Sequence, residues 1–248
     1  MSAVLPERRT HLDERRHAGR RHVRRRSTEW GQLAPDLSTT ELLRRANEKL
    51  VIASLRAQEV SDVAVEVAVK MTHQAEHDAL TGLPNRTLLG ERLVQSIALA
   101  QRHGKRVALM YLDIDHFKQI NDTLGHPVGD RLLQLVARRL QACVRLSDTV
   151  CRQGGDEFVI LLAEVDMVHD AALSAQKLIE AMAEPHLIDG DMLQVTLSIG
   201  VSVFPDHGLD AETVVKHADI AMYYAKRAGR NNYQMFTPEM KGRVVPRD

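Results

Sequence analysis

From Ser38 onward, apolar residues recur with a period near 3.5. Leu43, Leu50, Ala57, Ala64 and Met71 form one column, and Ala46, Ala53, Val60, Val67 and Gln74 form the column three residues on. As the a and d positions of five heptads they extend over about 50 Å of helix at roughly 1.5 Å per residue. No proline or glycine interrupts them. Ser38-Thr39-Thr40-Glu41, just after Pro35-Asp36, is a capping-box pattern that opens a helix. The heptads predict a parallel coiled coil, weakened by the many alanines in its seam. The competing reading is one amphipathic helix lying on its own domain.

Beyond the heptads the period alternates. Asp78 to Arg86 carries turn chemistry, and 86–103 reads as a helix. Val107 to Leu112 is a buried-strand run, and Asp130 to Val144 is an amphipathic helix with Leu132, Leu133, Val136, Leu140 and Cys143 on its apolar side. Thr149 to Arg152 and Glu157 to Leu162 are short strands flanking Gln153-Gly154-Gly155-Asp156, a β-hairpin pattern. A helix over about 169–184 stops before Pro185. Leu193 to Val203 alternates as another strand, and Asp210 caps a helix ending at Gly229. The order β-α-β-β-α-β predicts an α+β fold on the ferredoxin-like plan, also that of polymerase palms, with one helix added before it and one after.

Charge changes this picture at one end. Lysine plus arginine and aspartate plus glutamate both number 33. Residues 1–26 nevertheless hold nine arginines against Glu7, Asp13 and Glu14, so a basic tail leads an acidic body. That tail, residues 1–36, lacks apolar periodicity and reads as disordered and solvated. It has no aromatic interleaving before Trp30, so no nucleic-acid polymer is expected as a partner. No apolar run approaches the roughly 20 residues of a membrane span, and no secretory leader is visible. Cys143 and Cys151 give no disulfide framework, and a cytoplasmic location is expected.

The chemistry gathers at two places. The first strand ends in Asp113-Ile114-Asp115, followed by His116-Phe117-Lys118. In the βαββαβ plan the first and third strands are central neighbours, so this end lies near Gly154-Gly155-Asp156-Glu157. Four carboxylates brought together call for a divalent cation, Mg²⁺ or Mn²⁺, whose usual work beside carboxylates is phosphoryl transfer. Two adjacent glycines leave room for a bulky ligand such as a nucleotide to approach the backbone. Lys118, Lys226 and Arg230 supply cations for phosphate oxygens. Each also has a plainer reading: the acids as turn residues, Lys226 and Arg230 as charges favoured at a helix C-terminus, and Lys118 as a surface lysine.

Arg152-Gln153-Gly154-Gly155-Asp156-Glu157-Phe158 resembles the signature of the GGDEF-domain diguanylate cyclases. Asp78 to Arg86, Asp113 to Lys118, Asn121-Asp122, Gly125-His126, Gly129-Asp130 and Ala225 to Asn231 resemble further family motifs in the right order. The resemblance covers about 75–238. It implies that Asp113, the Ile114 carbonyl and Asp156 hold the metal, with Glu157 joining them. It implies that Asp156, Glu157 and Lys118 are catalytic, with the base for the 3′-hydroxyl at one of the two acids. Asn121 and Asp130 resemble guanine readers; His126, Gly154, Gly155, Lys226 and Arg230 would complete the substrate site. Arg145-Leu146-Ser147-Asp148 resembles the family's inhibitory site for the cyclic dinucleotide product. On spacing alone it is an ordinary surface Arg–Asp pair, worth about 0–1 kcal/mol.

The expected organisation is a tail over 1–36, a coiled-coil signalling helix over 37–76, a catalytic domain over 77–238 and a C-terminal tail over 239–248. The expected function is condensation of two GTP into cyclic di-GMP plus two pyrophosphates across a symmetric dimer. Its partners are GTP, cyclic di-GMP as product and inhibitor, a second copy through the N-terminal helix, and a regulatory protein. The alternatives are a catalytically silent module that binds cyclic di-GMP or GTP, and a coiled-coil scaffold whose domain is a passenger. No phosphodiesterase domain is expected after Phe236.

Overall fold

The computed structural model describes residues 38–243. The arginine-rich stretch read as a tail, 1–36, lies outside the described residues. The chain divides into two units between Gln58 and Glu59, within helix α1 (Thr39–Glu76). Ser38 opens α1, its Oγ accepting from the Glu41 N–H at 3.4 Å, half of the capping box that the sequence predicts. No residue of α1 is buried. Leu43, Leu50 and Val60 stay 66%, 68% and 69% exposed.

The second unit continues with α2 (Arg86–His103), β1 (Arg106–Ile114), α3 (Phe117–Leu124), α4 (His126–Cys143), β2 (Thr149–Gly154), β3 (Glu157–Val165) and α5 (Val168–Met182). Then come β4 (His186–Ile188), β5 (Asp191–Leu193), β6 (Leu197–Phe204), α6 (Ala211–Arg227), β7 (Asn232–Met235) and a 3₁₀ turn, Pro238–Arg243. Asn85 caps α2 by accepting from Thr87 and Leu88, and Asp210 caps α6 by accepting from Thr213. Met240 of the 3₁₀ turn is buried with Ala221 and Phe236.

The five-stranded sheet has the order β2-β3-β1-β6-β7. All its pairs are antiparallel except β6 with β7. The βαββαβ plan holds, with β1 and β3 side by side as expected. Three elements were not legible in the periodicity: α3, the separate β4–β5 hairpin and β7. Gly125, at φ 85°, breaks the backbone between α3 and α4, and α4 starts at His126, four residues before the expected Asp130. The strand expected from Leu193 starts at Leu197 and is buried at all eight positions. It does not alternate, because helices cover both faces of the sheet.

β1 shows how the two layers form. Ala108, Met110, Leu112 and Ile114 face α4 and α5, against Leu132, Val136, Leu140 and Leu178. Val107, Leu109 and Tyr111 face α2 and α6, against Leu89, Leu93, Val214 and Met222. Successive residues of a strand point to opposite faces, so one strand serves both cores. Gly200 of β6, paired with Tyr111, sets the depth of α6. A Cβ there would overlap the Met222 amide nitrogen and the Ala218 carbonyl oxygen, and would lie 2.7 Å from the Ala221 carbonyl carbon. The missing side chain lets the backbone of α6 rest on the sheet.

Candidate active site

Strand pairing assembles the acidic centre. Asp113 on β1 stands opposite Glu157, the first residue of β3, and Asp156 occupies the turn just before it. The Asp156 carbonyl accepts from the Ile114 N–H at 3.3 Å, tying the turn to the end of β1. Lys226, in the last turn of α6, reaches Asp113 Oδ2 at 2.7 Å. The close seat of α6 on Gly200 therefore bears directly on the charge of the site.

Asp113 is 7% exposed. Burial pushes its carboxyl up to about 6, and the Asp156 and Glu157 charges add to the rise; Lys226 opposes it. Asp156 is also raised, by burial first and by Glu157 in addition, against Lys226 and Arg152. Glu157 Oε2 accepts from the Tyr111 hydroxyl at 2.8 Å. Three carboxylates thus share one corner with the Lys226 ammonium. Among the described residues, no three His, Cys, Asp or Glu side chains stand in metal-ligating positions. The donor set, Asp113, Asp156, Glu157 and the Ile114 carbonyl, is all oxygen and over-rich in negative charge. That chemistry fits a hard divalent cation such as Mg²⁺.

Asp115 departs from the group. Sequence reasoning brought four carboxylates together, but Asp115 is 4% exposed and is held elsewhere. Its oxygens accept from Thr196 Oγ1 and Ser198 Oγ, both at 2.6 Å, and from the Asn231 N–H at 3.0 Å. Residues two apart on a strand share a face only while the strand stays regular; β1 ends at Ile114, and Asp115 turns toward β6 instead of joining Asp113. Its job is to pin the α6–β7 turn, where Arg230 and Asn231 both have positive φ, 62° and 48°.

The glycine pair sits at the tip of the hairpin. Gly154 and Gly155 have φ of 144° and 55°, and a Cβ on either would meet nothing within 4 Å. Backbone conformation and open approach, not crowding, call for glycine at these two positions. Arg152 holds the tip from behind: its Nε and Nη2 donate to the Gly155 carbonyl at 3.0 and 2.8 Å, and its Nη1 donates to both Asp78 carboxylate oxygens at 3.0 and 3.1 Å. Asp78 also accepts from the Thr81 N–H and hydroxyl. Asn85 in turn donates to the Ala75 carbonyl through Nδ2 and to the Glu76 carbonyl through its backbone. The residues after α1 are therefore tied to the hairpin, a link between two motifs that sequence reading placed separately.

A second cluster lies on α3 and α4. Lys118 is exposed in the first turn of α3, and His126 and Asp130 are exposed on α4. Asn121 Oδ1 is buried without a partner among the described residues. It fills the space a Cβ on Gly129 would need; that Cβ would also lie 3.3 Å from Phe117 Cζ. A buried acceptor without a donor is costly, and a bound ligand's N–H groups would relieve it.

Arg145 and Asp148 stand apart, in the turn between α4 and β2. They are joined through the Arg145 backbone rather than its guanidinium: Asp148 Oδ2 accepts from the Arg145 N–H at 3.0 Å, and Oδ1 from the Ala163 N–H at 3.3 Å. Both line a cavity of about 330 Å³ that also includes Asp166, Asp170, Ser174 and Lys177. Missed by sequence reasoning were Tyr111, Gly200 and the bracing role of Asp115, which it had grouped with the acids. An alternation count along β1 and β6 would have put Tyr111 on the face of Asp113, but nothing in the pattern marks its hydroxyl or the approach of α6.

The family model for "Diguanylate cyclase, GGDEF domain" matches residues 75–232, and the chain belongs to this family. Its GGDEF domain resembles that of the diguanylate cyclase TpbB of Pseudomonas aeruginosa. The solved GGDEF domain of that protein is 38% identical, with a TM-score of 0.66, and the match covers 67% of this chain and 97% of that one. The cyclic di-GMP phosphodiesterase NbdA of the same organism is 43% identical over 175 residues, 71% of this chain and 22% of its own length. The coiled coil and GGDEF domain of DgcB from Caulobacter crescentus, solved with cyclic di-GMP, is 26% identical with a TM-score of 0.65, covering 77% of this chain and 98% of that one. Against the full-length curated sequences the chain spans only a part, 22% of NbdA and 38% of TpbB. No helix among the described residues is long and apolar enough to cross a membrane.

Proposed function

We propose that this chain is a diguanylate cyclase that condenses two GTP into cyclic di-GMP and releases two pyrophosphates. The observation that carries the reading is the pairing of Asp113 with Glu157 beside Asp156 and the open glycine tip, with no acid or glycine of the signature replaced. Each 3′-oxygen attacks the α-phosphorus of the other nucleotide; that bond forms as the bond to pyrophosphate breaks. Asp113, Asp156, Glu157 and the Ile114 carbonyl would hold Mg²⁺ or Mn²⁺, which supplies positive charge against the phosphates. Asp156 and Glu157 are the two acids from which the acceptor of the 3′-hydroxyl proton comes. Asn121 Oδ1 and the Asp130 carboxylate accept from guanine N1–H and N2–H₂, with His126 beside them. Lys118, Lys226 and Arg230 balance charge on the triphosphate.

One domain offers one nucleotide site, and the product is two-fold symmetric. Two chains must therefore face each other, and the exposed heptad columns of α1 are the device that brings them together. The DgcB likeness, which includes a coiled coil, supports this. The test is purified chain with GTP and Mg²⁺, assayed for cyclic di-GMP across protein concentrations, beside a chain starting at residue 77. The expected result is synthesis by both, with the shortened chain falling at least about tenfold behind at low concentration, because tethering makes the encounter effectively intramolecular. Superimposable curves would reduce α1 to a tether.

A second reading, a silent module that binds cyclic di-GMP or GTP, is favoured by one observation: NbdA, of similar identity, is named for phosphodiesterase activity. Nucleotide binding without product in the same assay would select it.

Arg145 and Asp148 form the product-inhibition site in this proposal. Asp148 takes up the Arg145 backbone N–H, the guanidinium charge is felt by Asp166 in the cavity they line, and in this proposal a phosphate of the product takes up that charge. Arg145→Ala is expected to raise the inhibition constant for cyclic di-GMP about tenfold or more, the loss of one charge-assisted contact, with the initial rate unchanged. An unaltered inhibition curve would return the residue to the surface.

A further inference from the structure

We infer that Tyr111 is a positioning residue for Glu157, fixing which carboxylate oxygen faces the reacting groups; the inference rests on the cyclase reading above. Tyr111 lies in the central strand, between Val159 of β3 and Gly200 of β6. Tyr111 is 8% exposed and packed in the layer that includes Leu89, Leu93, Val159 and Met222. Two residues further along the same face stands Asp113, and opposite Asp113 stands Glu157, so Tyr111 and Glu157 are diagonal cross-strand neighbours. The hydroxyl donates to Glu157 Oε2 at 2.8 Å.

Packing does not require that hydroxyl. A phenylalanine would fill the same volume in this apolar layer, whereas a half-buried phenol oxygen is best satisfied by a partner. Glu157, a carboxylate crowded by two others, accepts from it. Glu157 begins its strand, and its own side chain has rotatable bonds that repulsion from Asp113 and Asp156 would turn outward. A lysine could hold it, but would cancel its charge. A neutral donor from beneath the sheet holds Oε2 and leaves the second oxygen and the negative charge for substrate. The rigidity comes from β1, whose ladders on both sides fix the tyrosine backbone.

The test uses the full chain with Tyr111→Phe, Glu157→Ala and the two combined. The expected result has two parts. In chemical unfolding, Tyr111→Phe lowers the folding equilibrium constant several-fold when Glu157 is present and hardly at all in combination with Glu157→Ala, the coupling a direct contact produces. In steady-state assays Tyr111→Phe lowers kcat about 10- to 100-fold, the scale of a misplaced reacting group, while KM for GTP stays within about twofold. Equal unfolding effects with and without Glu157→Ala would overturn the contact. Coupling with an unchanged kcat would overturn the positioning role and leave the cyclase reading standing. A wild-type chain that makes no cyclic di-GMP overturns the cyclase reading and this inference with it.

Discussion

Asp156→Asn and Glu157→Gln should each lower cyclic di-GMP synthesis about a thousandfold or more while leaving the fold intact or firmer. Each substitution keeps volume and removes one negative charge. The Asp156 backbone carbonyl still accepts from Ile114, and a glutamine oxygen at 157 can still accept from Tyr111. The stability part follows from Asp113. Its carboxyl is pushed up to about 6, by burial first and by these two neighbours in addition. A carboxyl raised in the folded state costs stability as pH climbs from its ordinary value to the raised one, and the full cost remains above. Removing a neighbouring charge lowers that cost where Asp113 is ionised. The melting temperature of each variant should therefore rise relative to wild type at pH 7, and by less at pH 4, where Asp113 is protonated in the folded state. Chromatography of the nucleotides and thermal melts at the two pH values check both halves. Near-normal synthesis in both variants would sink the catalytic assignment; a lower melting temperature at pH 7 would sink the repulsion argument.

Gly200→Ala carries the second large effect, and it acts far from any reacting atom. The added Cβ would overlap backbone atoms of Met222 and Ala218, and backbone cannot rotate aside as a side chain can. The helix must lift, opening the layer formed with Val214, Ala218 and Met222. Overpacking of this kind costs about 3 kcal/mol or more, and at about 2–4 °C per kcal/mol for a domain this size the melting temperature should fall about 6–12 °C. Lifting α6 also withdraws Lys226 from Asp113, so synthesis by the folded fraction should fall as well. Gly90→Ala on α2 is the control. A Cβ there meets nothing within 4 Å, and alanine is about 0.5–1 kcal/mol better than glycine inside a helix, so that variant should melt slightly higher. Equal melting of Gly200→Ala and wild type would mean that the helix seat is soft.

Much of the fold was legible because its signals are local. The cap at Asp210 marks a helix start through a side-chain oxygen that satisfies a nearby N–H group. Hydrophobic periodicity located α2, β1, α5 and α6, and the glycine pair located the hairpin. The eight-residue helix α3 escaped because only Phe117 of it is buried, which leaves too short an apolar stripe to show a period. β7 escaped because its four residues are all half-buried; its strand character comes from lying beside β6. The even burial of β6 was hidden for a related reason. A polar residue such as Ser198 or Ser202 reads as a solvent position, yet both are fully buried, and Ser198 donates to Asp115.

The candidate site divides along the same line. Residue types and their order in the chain were enough to single out the acidic pair at the hairpin, Asp113 at the end of a strand, and the basic residues near the end of α6, because each is written in a few consecutive letters. Which of them meet is a matter of strand register and helix seat. Register put Glu157 opposite Asp113 and Tyr111 diagonal to Glu157. The bare backbone at Gly200 let α6 close far enough for Lys226 to reach Asp113. The turn of the chain after Ile114 sent Asp115 away from the acids to brace Thr196, Ser198 and Asn231. These contacts join residues up to 116 positions apart, and their energy depends on ångström-scale distances that no local pattern encodes. The chain's own letters thus determined the chemistry available to this protein, and the sheet and its helices decided which charges share one corner.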